Sequence, residues 1–183
     1  MRKPQCPLPG RGGSTAAVRL LANLPAIAAS AVLVCLAASW LDGMTIIVVT
    51  MWLLLGVLGF SRLVERSLAR LRRFHRLDLA SAGPLAPLLS HALGTCRLRP
   101  GSVDWYVVPG ESQINAYAMG SHGVGVTGGF ASAHLGGRLG HRRALAILVH
   151  ELGHHACRAT RYGYPLSWWT LPWRLATHAV AKP

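Results

Sequence analysis

Two apolar runs near the amino terminus constrain the fold of this chain more than any other feature of its sequence. Residues 20–41 contain no charged side chain, and residues 44–60 form a second uncharged run. A helix of about 20 apolar residues spans the hydrocarbon core of a bilayer. Because only Asp42 and Gly43 separate the two runs, we predict a transmembrane helical hairpin over residues 20–60.

The charged residues around the hairpin predict its orientation. Residues 1–19 form a basic tail rich in Pro and Gly, which we expect to be flexible, and the link between the runs has no basic residue. Arginines 62, 66, 70, 72, 73 and 76 follow the second run. Since positive charge stays on the cytoplasmic side, both ends of the hairpin should face the cytoplasm. Residues 61–80 are predicted to form a basic juxtamembrane helix, which either binds anionic membrane lipid or is an ordinary solvated stalk.

The composition agrees with a membrane protein and argues against two other classes. The formal net charge of +13 is typical of nucleic-acid-binding proteins. The arginines lie beside the apolar runs, however, so we expect membrane lipid and no nucleic acid as their partner. A cleaved signal peptide is disfavoured because a second apolar run follows the first directly. The four cysteines are scattered, without a Cys-x-x-Cys pair, and predict reduced thiols.

The remainder of the chain predicts a small α+β domain that begins near Pro84. Pro84 can start a short helix ending near Gly94. Three stretches are rich in strand-forming residues and are bounded by Pro and Gly turn signals. They cover residues 103–108, 114–119 and 124–127. Three short strands ahead of a helix predict a small sheet packed on that helix.

That helix, predicted within residues 144–157, contains the motif His150-Glu151-Leu-Gly-His154. Side chains four residues apart lie one above the other on a helix, so the two imidazoles can hold one Zn²⁺ ion. Glu151 projects about 100° round from His150 and could act as a general base. The opposite side of the helix is apolar and can pack into a core. It carries Leu145, Leu148 and Leu152.

Three segments together resemble a known family, the membrane-bound zinc metallopeptidases that include the HtpX-type proteases and the CAAX prenyl endopeptidases. The segments are Asn115-Ala-Tyr-Ala-Met-Gly120, Val124-Gly-Val-Thr-Gly-Gly-Phe130 and Ala146-Ile-Leu-Val-His-Glu-Leu-Gly-His154. The resemblance implies a zincin-like domain over residues 81–163, with His150 and His154 as zinc ligands and Glu151 as the base. It also implies that Asn115, Ala116, Tyr117 and Ala118 form a wall of the substrate cleft.

The chain departs from this family in its third zinc ligand, which the family takes from a glutamate downstream of the helix. No Asp or Glu follows Glu151 here. Cys157, His155 and His178 are the substitutes that the sequence offers. We expect that the chain stops before the domain is complete. Residues 164–183, which are rich in Trp, are predicted to be an interfacial or membrane segment.

These observations predict a multi-pass membrane protein whose catalytic domain faces the cytoplasm. Its expected function is that of a zinc metalloendopeptidase acting on protein or peptide substrates. The alternative is a catalytically inactive or truncated membrane protein that keeps the two-histidine motif and serves as an interaction module or remnant.

Overall fold

The computed structural model describes residues 12–41, 43–157 and 160–181 and has an α+β fold. Within these ranges it contains eight α-helices and one four-stranded sheet. The predicted α+β class is therefore confirmed. Residues 1–11 of the predicted tail and Asp42 of the predicted hairpin link lie outside the described residues.

The two apolar runs form helices α1, Gly12–Ser39, and α2, Thr45–Leu58, which pack against each other. Over Ala17–Ser39, helix α1 is long and apolar enough to cross a membrane. Helix α2 has 14 residues. It reaches the length of a span only together with α3, Arg62–Leu71, and the two helices are bent by 88° at the break between them.

Helix α1 begins before the predicted span. The prediction of a flexible tail is therefore wrong for residues 12–19, which are helical. Ala16, Ala17 and Val18 extend the apolar composition of the run, and no proline precedes Pro25 in the helix. Since Pro and Gly are the strong helix breakers, nothing between Ala16 and Pro25 stops the helix from extending towards its amino terminus.

Helix α3 is shorter than predicted because a Schellman turn closes it. The N–H of Phe74 donates to the carbonyl of Ala69 at 2.9 Å, and Arg73 adopts a left-handed φ of 59°. This bond pattern satisfies the last free carbonyls of a helix and ends it. The predicted helix over residues 61–80 is therefore wrong in its second half. That part contains strand β1, His75–Leu77, which the sequence analysis missed.

The sheet has the strand order β1-β2-β4-β3. Its further strands are β2, Asp104–Val108; β3, Ala116–Met119; and β4, Gly123–Thr127. The two central strands, β2 and β4, pair in parallel, and the edge strands β1 and β3 pair with them in antiparallel. The three predicted strands are confirmed to within two residues at each end. Strand β3 lies at one edge of the sheet, and no other strand of the described residues covers that edge.

Three helices cover one face of the sheet and enclose the core. They are α4, Ala86–Thr95; α5, Gly128–Leu135; and α6, His141–Ala156. A short 3-10 turn, Gly83–Leu85, directly precedes α4. The short helix predicted to start at Pro84 and end near Gly94 is therefore confirmed. The core combines side chains from the helices and from strands β2 and β4, all nearly free of solvent exposure. Its main members are Leu88, Leu89, Trp105, Val124, Val126, Phe130, Leu148 and Leu152.

Asp104 fixes helix α3 to the sheet through ion pairs. Its carboxylate accepts Nε–H bonds from Arg62 at 2.7 Å and from Arg66 at 3.0 Å, and its side chain is 3% exposed. Burial alone would raise the pKa of Asp104, but the hydrogen bonds and charges of the two arginines outweigh it and lower the pKa to about 2. Two of the arginines predicted to face lipid are thus engaged with the protein itself.

The carboxy-terminal segment forms two short helices that pack on the hairpin. They are α7, Gly163–Trp169, and α8, Leu171–Val180; α7 packs against α2, and α8 against α1. The indole N–H of Trp168 donates to the carbonyl of Trp52 at 2.9 Å. The ring of Trp169 lies where a Cβ on Gly56 would be, so this glycine allows the close approach. The predicted interfacial segment is therefore helical and bound to α1 and α2.

Candidate metal centre

Helix α6 presents the motif residues on one side and the core residues on the other. Leu148 and Leu152 are fully buried and Leu145 nearly so, whereas His150 is exposed. The predicted two-faced helix is thus confirmed. The buried leucines hold the helix against the sheet, and the motif residues face outward as a consequence of the 3.6-residue period.

The structure brings together the polar atoms of His150, Glu151 and His154. One ligand atom from each side chain lies within 4.8 Å of the other two. The two imidazole rings have centroids 4.9 Å apart at an interplanar angle of 82°. His150 is exposed, and the other two side chains are half-buried, so the group lies at the surface of the domain.

The geometry of the three side chains fits a small divalent ion. Ligands of a tetrahedral zinc ion with bonds of 2.0–2.1 Å stand roughly 3.4 Å apart. Side-chain rotations that move the ligand atoms by on the order of 1 Å would therefore bring the group from its present spacing to that of zinc ligands. Imidazole and carboxylate donors are also a set that zinc accepts.

Glu151 is held by the edge strand β3. Its Oε2 accepts the backbone N–H of Ala118 at 2.9 Å, and helix α6 packs on this strand. One carboxylate oxygen is thus fixed by the sheet, while the other is available for chemistry. The hydrogen bond ties the position of the motif to the position of the strand, a coupling that the sequence does not show.

The four residues predicted to form a wall of the substrate cleft differ in which of their groups a substrate could contact. Ala116 is 2% exposed and its side chain belongs to the core, so this residue offers a substrate little accessible surface. Asn115 sets the pairing of β3 with β4, because its carbonyl accepts the N–H of Thr127 at 3.0 Å. Side chains alternate along a strand, so Tyr117 lies on the face opposite to Ala116 and Ala118.

The same pairing determines which backbone groups of β3 are free. In an antiparallel pair, residues that bond to the neighbouring strand alternate with residues that point away from it. Asn115 bonds to β4, and Tyr117 follows the same alternation. The N–H and C=O groups of Ala116 and Ala118 therefore point away from β4. Ala118 uses its N–H for Glu151, which leaves its carbonyl on the open edge.

None of the three substitute ligands suggested by the sequence belongs to the group that the described residues form. The ring nitrogens of His155 face the carbonyls of Ser121, at 3.2 Å, and Gly123, at 2.7 Å. Burial lowers the pKa of His155, against the effect of these two carbonyls. His178 lies on α8, which packs against α1. Cys157 is the C-cap of α6, about 10 Å along the axis from His150.

Glu65 makes a structural contact in this region that the sequence analysis missed. Located on α3, it is 6% exposed and accepts the backbone N–H groups of Ser121 at 2.5 Å and His122 at 3.0 Å. It therefore fixes the turn between β3 and β4, next to the strand that holds Glu151. More than 50 residues separate Glu65 from this turn, so no local pattern could have indicated the contact.

A cavity of about 500 Å³ lies beside the metal group and does not include it. Its lining comes from the ends of α2 and α6 and from the β3–β4 turn, and includes Phe60, Val103, His122, His155, Thr160 and Arg161. The motif residues therefore do not line this cavity. The open edge of β3, rather than the cavity, adjoins Glu151.

Comparisons with protein-family models, with curated proteins and with solved structures found no match for this chain. The resemblance to HtpX-type proteases therefore rests on the three sequence segments, and it stays a prediction.

Proposed function

We propose that the chain is a membrane-anchored zinc metalloendopeptidase with a zincin-like catalytic domain. The observation that carries this proposal is the position of Glu151. It lies beside two neighbouring imidazoles and is bound to the backbone of an edge strand. A base, a metal-binding pair and a strand that can align an extended peptide are the three parts that metal-assisted peptide hydrolysis requires.

His150 and His154 would hold the ion through their imidazole nitrogens. Zinc bound there would polarise a peptide carbonyl and lower the pKa of water in its open coordination position to about 7. Because His150 is exposed and His154 half-buried, the ion is accessible to a substrate from the surface. The third protein ligand stays a prediction, because the third donor in the group that the described residues form is Glu151, which this proposal uses as the base.

Glu151 would act as the general base. Its Oε2 is held by the N–H of Ala118, which orients the carboxylate, and one carboxylate oxygen lies within 4.8 Å of the ligand atoms of both imidazoles. A carboxylate within hydrogen-bond reach of water can take its proton and pass it to the leaving amine. The tether to β3 keeps that oxygen aligned with the substrate strand throughout the reaction.

Strand β3 would bind the substrate by adding a strand to the sheet. The carbonyls of Ala116 and Ala118 point to the open edge and can accept N–H groups of an extended peptide. Such binding uses backbone groups and so favours unfolded protein segments of many sequences. Ala118 is half-buried and Ala116 is 2% exposed, so the carbonyl of Ala118 is the more accessible of the two.

We further propose that the protein crosses the membrane more than once, with the catalytic domain on the cytoplasmic side. Helix α1 has the length and composition of a span. Arg70, Arg72 and Arg73 are exposed at the end of α3, just after the second apolar helix, where positive charge favours the cytoplasm and anionic lipid.

The full chain in detergent tests this proposal with casein as an unfolded substrate. We expect cleavage that stops when a chelator removes metal and returns with added zinc. His154→Ala should abolish cleavage and remove the equivalent of zinc held at this centre, because half of the imidazole pair is lost. His75→Ala, an exposed histidine on β1, is the matched control and should keep both. Cleavage by a folded His154→Ala protein at the wild-type rate would overturn the proposal.

A further inference from the structure

We propose that His91, His134 and His141 form a second metal site, which binds zinc or a similar divalent transition-metal ion. The three histidines belong to three different helices: α4, α5 and the start of α6. They lie outside the motif that the proposed protease uses. Since His141 and His150 are nine residues apart on α6, the two centres are separated by about 13 Å along the helix.

The strongest observation is the distance between His91 and His141. Nδ1 of His91 lies 3.2 Å from Nε2 of His141. Two nitrogen ligands on a tetrahedral zinc ion with bonds of 2.0–2.1 Å stand about 3.3–3.4 Å apart. The pair therefore already has the spacing of two ligands that share one ion.

His134 supplies the third donor in a suitable protonation state. Its Nδ1 lies 3.1 Å from the carbonyl of Leu139, and because a carbonyl only accepts, Nδ1 carries the proton of a neutral ring in this hydrogen bond. Nε2 is then left with the lone pair that a metal requires. A backbone carbonyl that binds the second ring nitrogen is the usual support of a metal-ligating histidine.

The ring positions are close to those of a three-histidine centre. The centroid of His141 lies 5.5 Å from that of His91 and 6.2 Å from that of His134. Imidazoles on one tetrahedral zinc ion have centroids about 5.2 Å apart, from the zinc–nitrogen bond length and the ring radius. A shift of about 1 Å in the ring of His134 would bring it to this distance from the ring of His141.

The elements that carry the three rings are well fixed. Ala133 and Ala144 are fully buried next to His134 and near His141, and the N–H of Leu139 donates to the carbonyl of Ala133 at 2.8 Å. A metal ion here would link α4, α5 and α6 on the helical side of the domain. All three donors are imidazoles, which favour Zn²⁺, Cu²⁺ and Ni²⁺ over Mg²⁺ and Ca²⁺.

Metal content in a variant that lacks the first centre tests this site independently of any protease activity. We would purify the full chain with His150→Ala and His154→Ala, add zinc chloride, dialyse, and measure bound zinc. About one equivalent should remain, as expected for one three-histidine site. Addition of His91→Ala should remove it, and addition of His75→Ala should not. With cobalt in place of zinc, the visible absorption of a tetrahedral ion should follow the same pattern.

The outcomes separate a metal site from an ordinary hydrogen bond between two neutral imidazoles. If the His150→Ala, His154→Ala protein keeps the circular dichroism of the wild type and retains no zinc, the second site is refuted. Zinc that remains after His91→Ala and His141→Ala are both added would place the ion elsewhere and refute it as well. Thermal unfolding supplies a second readout, because a metal bound only to the native state raises the melting temperature.

Discussion

Two glutamates hold the β3–β4 hairpin, one at the strand β3 and one at the turn, and they differ in how fully their carboxylates are used. Glu65 on α3 accepts the N–H groups of Ser121 and His122 and contacts the ring of His122, and it is 6% exposed. Glu151 on α6 accepts one N–H, that of Ala118, and is half-buried. A saturated carboxylate can only stabilise the fold, whereas one with a free oxygen can also exchange a proton.

The largest expected effect concerns the glutamate with the free oxygen. Glu151→Gln should lower casein cleavage by about 10²- to 10⁴-fold, because the amide cannot act as a general base. The amide carbonyl can still accept the N–H of Ala118, so the melting temperature should stay near that of the wild type. Rate and thermal unfolding are measured on the same preparation. Cleavage within a factor of two of the wild type would remove Glu151 from the mechanism.

The second variant makes the same chemical change at the saturated glutamate. Glu65→Gln places an amide NH₂ against N–H donors and removes charge-assisted hydrogen bonds, and should destabilise the protein by roughly 2–4 kcal/mol. The rate per folded molecule should change little below the unfolding temperature. Denaturant unfolding measures the first value and casein cleavage the second. An unchanged unfolding midpoint would contradict the structural role of Glu65.

A third prediction extends the comparison to Asp104, the buried acid of β2 that binds the arginines of α3. The pKa of Asp104 is lowered from 3.8 to about 2, so its ion pairs contribute stability that is present above about pH 4 and is lost as the pH falls towards 2. The contribution is about 2 kcal/mol. Asp104→Asn should be less stable than the wild type at pH 6, and the difference should shrink between pH 4 and pH 2. A difference that is constant with pH would argue against this assignment.

The smallest effect is expected at the third glutamate of the chain. Glu111 is exposed in the turn after β2, so Glu111→Gln should change stability by less than about 0.5 kcal/mol and leave cleavage unchanged. The variant is a matched control for both other glutamates. If it lowered cleavage as strongly as Glu151→Gln, loss of negative charge rather than loss of the base would explain both results.

Local sequence patterns predicted the parts of this fold that depend on neighbouring residues. The apolar run gave α1, strand-forming residues between turn signals gave β2, β3 and β4, and the helical period gave both faces of α6. Strand β1 was missed because three residues carry too little pattern. The motif residues themselves were predicted from their spacing, and the structure places them together.

The contacts that support the site could not be predicted, because they join residues far apart in the chain. Arg62 meets Asp104 across 42 residues, and Glu65 meets Ser121 across 56. The arginines looked like a lipid-binding face because Glu65 and Asp78 are the only acidic residues in the sequence 61–80. The tether between Ala118 and Glu151 spans 33 residues and depends on how α6 packs on the sheet.

The packing of α8 on α1 has a consequence for the order in which the protein matures. The N–H of Trp173 reaches the hydroxyl of Ser30, which is buried within the otherwise apolar α1, across 143 residues. At about 5–20 residues per second, a ribosome needs roughly 7–30 s to make the intervening chain. For that interval the hairpin lacks the helices that later cover it. The hydroxyl of Ser30 and the surface at Gly56, where the ring of Trp169 later packs, are then open to lipid or to a chaperone.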